Sequence, residues 1–230
     1  MADFWHNGKV IGNDGVDDQK IYVLKTTEKS FGNSDEGSSV ASAGLSKDDL
    51  KTTVKFIETN SGKAEAFQNN GIAYTNSIAI ESSAETRQGM VNEVSRDNGK
   101  GGTGEANNRE YGGSVRNGVV TAAEPGPISS PGNNASIILP AGPSTFHSHP
   151  SGESTTNSAS AGILSTGSVS SFGGTVTTRS YTQSPSPADI QNAGNQINYV
   201  FGRSNGNVYI YNSNGVQAVI PMKYFVTPKK

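Results

Sequence analysis

Apolar residues in this chain come mainly in short runs broken by Gly, Asn and Ser, and helical spacing appears in only a few places. Val10-Ile11 and Ile21-Tyr22-Val23-Leu24, with the turn sequence Gly12-Asn13-Asp14-Gly15 between them, predict a small β unit over residues 4–25. Residues 29–44 are rich in Ser, Gly and Asp and predict a loop. Ser46 then reads as an N-cap with Asp49 three residues on, followed by Leu50, Val54 and Ile57 at helical spacing, until Asn60-Ser61-Gly62 stops the helix. Ile72 to Ile80 predicts a strand. A second helix is expected from about Ala84 to Arg96, capped by Ser83 and closed by Asn98-Gly99.

Residues 97–108 form a Gly/Asn-rich linker, and Tyr111 to Ala122 predicts a hairpin turning at Arg116-Asn117-Gly118. Pro and Gly crowd 125–132. Behind the apolar Ile137, Ile138 and Leu139, the segment Thr145 to His149 reads as a strand. Residues 151–183 are Ser, Thr and Gly in the main, nearly without charge, and predict a mobile surface excursion; the alternative is an active-site lid or propeptide-like cover. Ser186 suits an N-cap and Pro187 the first helical position, so a helix is expected over about 187–197. Tyr199–Arg203, Asn207–Tyr211 and Val216–Ile220 then predict a meander joined by two Asn-Gly turns. The expected class is α+β: a curved mixed sheet flanked by helices, with residues 1–28 as a small N-terminal β unit and 45–230 as the main domain.

Composition narrows the chemistry. The chain has 230 residues, room for one sizeable domain or two small ones. Hydrophobic residues make up 32% against a usual figure of about 45–50% counted with Gly, so the core is expected to be modest and the polar excursions long. A net charge of −2, with no Lys/Arg cluster, provides no basic footprint for nucleic acid. No apolar run approaches the roughly 18 residues of a membrane span. The absence of Cys excludes thiolate metal ligands, disulfides and a Cys nucleophile, and leaves the compartment open. Met1 to His6 has no apolar signal-peptide core, and the expectation is a chain that continues upstream in a longer protein.

Two of the three histidines lie in Phe146-His147-Ser148-His149-Pro150. On a strand, residues i and i+2 project to one side, so both imidazoles aim at one point while Ser148 faces away. Two converging neutral imidazoles are two of the three protein ligands usual in a catalytic zinc site, which leaves its fourth position to water. His6 is remote and sits in a structural-looking start. Among carboxylates Asp189 is best placed, in the first turn of a helix that follows the His strand. First-turn acids also simply complement the helix dipole, and on spacing alone that reading stays open.

With these residues in view, the chain resembles a known family. His147-Ser148-His149-Pro150 followed by Ser186-Pro187-Ala188-Asp189 is similar to the JAMM motif, H-x-H-(spacer)-S-x-x-D, of the JAB/MPN metallopeptidases. That family places a Glu ahead of the His strand, often with Gly soon after, and Glu110-Tyr111-Gly112-Gly113 fits. The order of elements over residues 83–221 agrees. One departure is the spacer: the family has about seven residues, whereas residues 150–185 here number 36; an insertion whose ends are already held together costs little closure entropy. The resemblance implies that His147, His149 and Asp189 hold Zn²⁺, that Glu110 acts as general base and then acid, and that Ser186 donates to the developing oxyanion. Glu124 and Glu105 are weaker substitutes for Glu110. The implied substrate is a peptide or protein.

Asp3-Phe4-Trp5 through Gly8–Asp18 and Ile21-Tyr22-Val23 resembles the segment that joins Rhs-type bacterial repeat proteins to variable toxin tips. That resemblance implies delivery into target cells as part of a larger protein, and an immunity protein as partner. The bland alternative is a short hairpin with an Asp/Gly-rich turn, Ca²⁺-binding by composition though not by EF-hand spacing. Three other readings compete for the site. A cupin-like protein would use His147, His149 and Glu153, but needs a later His, and none follows residue 149. A non-catalytic MPN-like binding module would keep the fold without the chemistry. The plainest alternative makes the two histidines surface residues of a β loop.

Overall fold

The computed structural model describes all residues except 28, 34–37, 43, 130–134, 159–174 and 230. The fold is α+β, with two mixed sheets and few helices. The first sheet has the order β2-β1-β3-β6, built from β1 (Asp3–His6), β2 (Lys9–Asn13), β3 (Ile21–Leu24) and β6 (Ser77–Ile80). β1 runs parallel to β3, whereas β1–β2 and β3–β6 are antiparallel. The tight β1–β2 turn uses Asn7 and Gly8, both at positive φ. A Cβ on Gly8 would also fall 2.6 Å from Tyr224 Cβ, so the turn is closed only by glycine.

The second sheet has six strands in the order β14-β13-β12-β9-β7-β8: β7 (Gly112–Arg116), β8 (Val119–Ala122), β9 (Ser144–His149), β12 (Asn198–Gly202), β13 (Asn207–Asn212) and β14 (Gly215–Pro221). Only β9 and β12 are parallel neighbours, and α5 (Pro187–Asn192) lies on the crossover between them. The two sheets share one core. Trp5, Ile21, Val23 and Ile80 from the first pack with Phe146, Phe201, Ile210 and Ile220 from the second, with Met90 and Val94 of α4 (Ala84–Val94) and with Phe225. α1 (Lys47–Asn60) covers the other face of the first sheet through Ile57, beside Phe4, Leu24 and Phe67.

Period-2 alternation decides what the second face of the large sheet carries. Tyr199 and Phe201 of β12, and Val208 and Ile210 of β13, point into the shared core. Val200, Tyr209 and Tyr211 point the other way, with Ala193, Val216 and Val40. On β9 the same alternation sends Phe146 inward and leaves His147 and His149 on the second face, with His147 opposite Val200 and His149 opposite Gly202.

Three expectations need correction. Residues 29–44 are not simply a loop: β4 (Ser30–Asn33) and β5 (Ser38–Ala41) pair antiparallel, and Val40 is buried on the second sheet. Ile72–Ile80 is not one strand. Ile72–Thr75 is a helical turn, α3, after the short α2 (Ala64–Asn69), and only β6 is extended. The Asn70 side chain accepts from the Ile72 amide and starts that turn, and the Tyr74 hydroxyl donates to buried Asp14 at 2.7 Å. A short apolar run does not itself distinguish buried helix from strand. Where the 151–183 segment is described, β10 (Glu153–Ser158) and β11 (Thr175–Ser180) form an antiparallel hairpin in register from Glu153–Ser180 to Ser158–Thr175. Residues 159–174, part of the expected excursion, lie outside the described residues. The last helix also ends early, at Asn192 rather than about 197, because Gly194 turns at positive φ.

Candidate metal centre

The hairpin accounts for the long spacer. Its paired strands hold the chain ends close, so Pro150 and Thr182 stay near each other although the excursion is long. Buried Asp97 anchors the near end, accepting from the Ser151 amide and hydroxyl at 2.6 Å each, while Arg203 donates to the Asp97 carbonyl. The far end delivers the Thr182 carbonyl to His149 Nδ1 at 2.8 Å. A carbonyl only accepts, so Nδ1 carries the proton and Nε2 presents its lone pair to the cavity.

His147 and His149 then converge as the i, i+2 argument expects, with their Nε2 atoms 3.3 Å apart and both residues buried. Asp189 spans them, Oδ1 at 3.2 Å from His147 Nε2 and Oδ2 at 3.4 Å from His149 Nε2. Its place is set by a capping box: Ser186 accepts from the Asp189 amide, and the Ser186 amide and hydroxyl each donate to Asp189 Oδ2 at 2.7 Å. Oδ2 is thus occupied by the cap, and Oδ1 is the less committed oxygen. The same bonds give the Ser186 hydroxyl a partner other than an oxyanion.

Glu110 enters from the stretch just before β7, and it is 7% exposed. Its donor atom and those of the two imidazoles lie within 4.8 Å of one another, a buried group that can hold a metal ion. Two interactions fix this stretch. Ser148, facing away from the imidazoles, accepts from the Tyr111 amide at 3.0 Å and donates its own amide to the Tyr111 carbonyl. Gly112 lies so close to β9 that a Cβ would sit 2.8 Å from His147 Cα. Two descriptions of the donor set result, Glu110 with the imidazoles or Asp189 with the imidazoles. Asp189 touches both rings, one oxygen to each, and Glu110 faces the same two imidazoles. Glu105, Glu124, Glu153 and His6 are not among the grouped donors, and His6, at the end of β1, pairs instead with Asn7 of the following turn.

The charges are tightly linked. Burial opposes ionisation of His147, but Asp189 and Glu110 outweigh it and the imidazole is pushed up to about 9. Burial also works against the Asp189 carboxylate, yet the two imidazoles hold it well below the usual carboxylate range. Glu110 is raised, by burial above all, with the imidazoles opposing. The site therefore favours a cation between its acids, either a proton or a metal. A raised histidine contributes stability in full below its ordinary 6.5 and loses it as pH climbs to about 9. Glu110, also raised, loses its contribution in the same sense as pH rises above its ordinary 4.5, and Asp189, held low, is already ionised throughout the histidine's window. Metal-free protein is accordingly expected to lose thermal stability between pH 6.5 and 9, and a bound metal to reverse the trend by taking the proton's place. Melting temperatures with and without chelator check this, and a flat or rising curve for the metal-free protein would contradict it.

These groups line a cavity of about 570 Å³, together with Ile137, Leu139, Ala188 and Tyr211. No family model, curated protein or solved structure matches this chain. No helix among the described residues is long and apolar enough to cross a membrane. Sequence reasoning missed Ser148, Asp97, Thr182 and Tyr211. Ser148 had a signal, a small polar residue at the core-facing position between two candidate ligands.

Proposed function

We propose that this chain is a zinc-dependent peptidase or isopeptidase of JAMM type, with a JAB/MPN-like domain. One observation carries the reading: Glu110 groups with His147 and His149, Asp189 touches both imidazoles, and these four residues, drawn from three separate stretches of sequence, line one cavity. The two Nε2 atoms, 3.3 Å apart, stand at a spacing that suits two ligands of one zinc ion, and Asp189 brings one oxygen to each ring, Oδ1 at 3.2 Å and Oδ2 at 3.4 Å. Ligands about 2.0–2.1 Å from a tetrahedral ion lie about 3.3 Å from one another. The donor chemistry, two imidazoles and a carboxylate without thiolate, is also that of a hydrolytic rather than a structural site.

In this reading His147, His149 and Asp189 hold the ion. When bound, it supplies Lewis acidity, lowering the pKa of its water toward about 7 and polarising the carbonyl. Glu110 takes the proton from the attacking water and returns it to the leaving nitrogen; its burial-raised pKa suits a group that must both accept and give. Ser186 positions Asp189 through the capping box. The cavity, within the range of about 300–1,000 Å³ usual for ligand sites, has apolar walls at Ile137 and Leu139 that suit a peptide side chain. As the tip of an Rhs-type toxin, the domain would act on a protein of the target cell and be neutralised by an immunity protein.

Metal analysis combined with a peptide library tests the proposal. The expected result is about one zinc per chain and cleavage that stops on chelation and resumes with zinc. Zinc binding without cleavage of any peptide would favour the non-catalytic binding module.

A further inference from the structure

An amide hydrolase needs a hydrogen-bond donor for the carbonyl oxygen, and the cavity's hydroxyls are mostly committed. Thr145 donates to Asn198 Oδ1, Tyr181 to Asn108 Oδ1, and Ser186 to Asp189 Oδ2. Thr182 is engaged as well, and Ser136 is exposed. Tyr211 differs. It is 3% exposed, it lines the cavity, and its hydroxyl has no hydrogen-bond partner among the described residues.

Register places Tyr211 on the right face. His147 lies opposite Val200, Val200 opposite Tyr209, and Tyr211 two residues beyond Tyr209 shares its side of the sheet. Asn198, its partner across β12, holds Thr145 on the strand that carries the histidines. Burial first, then Asp189 and Glu110, raise the phenol, so it keeps its proton.

Resting on the peptidase reading, we infer that Tyr211 is a catalytic hydrogen-bond donor whose hydroxyl holds the scissile carbonyl oxygen as negative charge gathers there. The water oxygen bonds to the carbonyl carbon and its proton passes to Glu110. The C–N bond then breaks, and Glu110 returns the proton to the amine. Tyr211 keeps its own proton throughout and contributes a bond that strengthens with the charge.

Tyr211→Phe removes the hydroxyl and keeps the ring packed. Zinc-loaded wild type and variant are compared for acetohydroxamate binding by calorimetry and for cleavage of a peptide found in the library. The expected result is unchanged zinc content and melting temperature, binding weaker by about tenfold or more, and kcat lower by about 10²–10³ with little change in KM. Equal binding and equal kcat overturn the assignment while leaving the peptidase reading intact. So does a Ser186→Ala protein that keeps its zinc and alone loses the hydroxamate. Wild type that takes up no zinc overturns the peptidase reading itself, and this inference with it.

Discussion

Glu110→Gln is expected to lower kcat by about 10²–10⁴ while the protein keeps its metal and its fold. The substitution preserves size and hydrogen-bonding capacity but removes the site that accepts a proton. The geometry makes the test sharp. Glu110 is buried within 4.8 Å of both imidazole donors, yet it is Asp189 that touches both rings. A group beside the ion carries protons, whereas a group on the ion holds it in place. If Glu110 is a ligand, the amide variant loses zinc along with activity, and metal analysis separates the two. Hydrolysis that survives Glu110→Gln would remove the assigned base. The stretch is too firmly held for a neighbour to substitute: Ser148 clamps Tyr111, and the Gly126 amide donates to the Glu110 carbonyl at 2.9 Å.

What the sequence made legible follows from local physics. The i, i+2 imidazoles depend only on strand alternation, and β9 runs Ser144–His149 as expected. Ser83 and Ser46 cap α4 and α1 through their own side chains, and the Asn-Gly turns of the last meander close where they stand. Asp189 could be nominated from its place in the first turn of α5, but local sequence did not separate a ligand from a dipole complement. The crossover from β9 to β12 brings the helix over the His face and Asp189 against both imidazoles, a placement local sequence does not give. The β10–β11 hairpin was hidden because Ser, Thr and Gly without apolar alternation carry no strand signal. Ile72–Ile80 misled for the opposite reason, an apolar run whose first half is held helical by Asn70 and Asp14. Tyr211 read only as the last residue of an expected strand, since only the sheet order places it on the wall of the His cavity.

Replacing either imidazole is expected to abolish metal binding. His149→Ala should take zinc from about one per chain to none at micromolar concentrations, and hydrolysis with it, whereas His6→Ala should leave both unchanged. The contrast is physical rather than positional. His149 Nε2 is made a lone-pair donor by the Thr182 carbonyl on its other nitrogen, and it lies 3.3 Å from its twin. His6 is half-buried at the end of β1 and has the Asn7 amide for company. Truncating His149 also removes its hydrogen bond to the Thr182 carbonyl and leaves Asp189 with a single imidazole. A melting temperature measured with chelator therefore distinguishes lost metal from lost fold. A folded His149→Ala protein that still carries one tightly bound zinc would put the ion somewhere other than between β9 and α5.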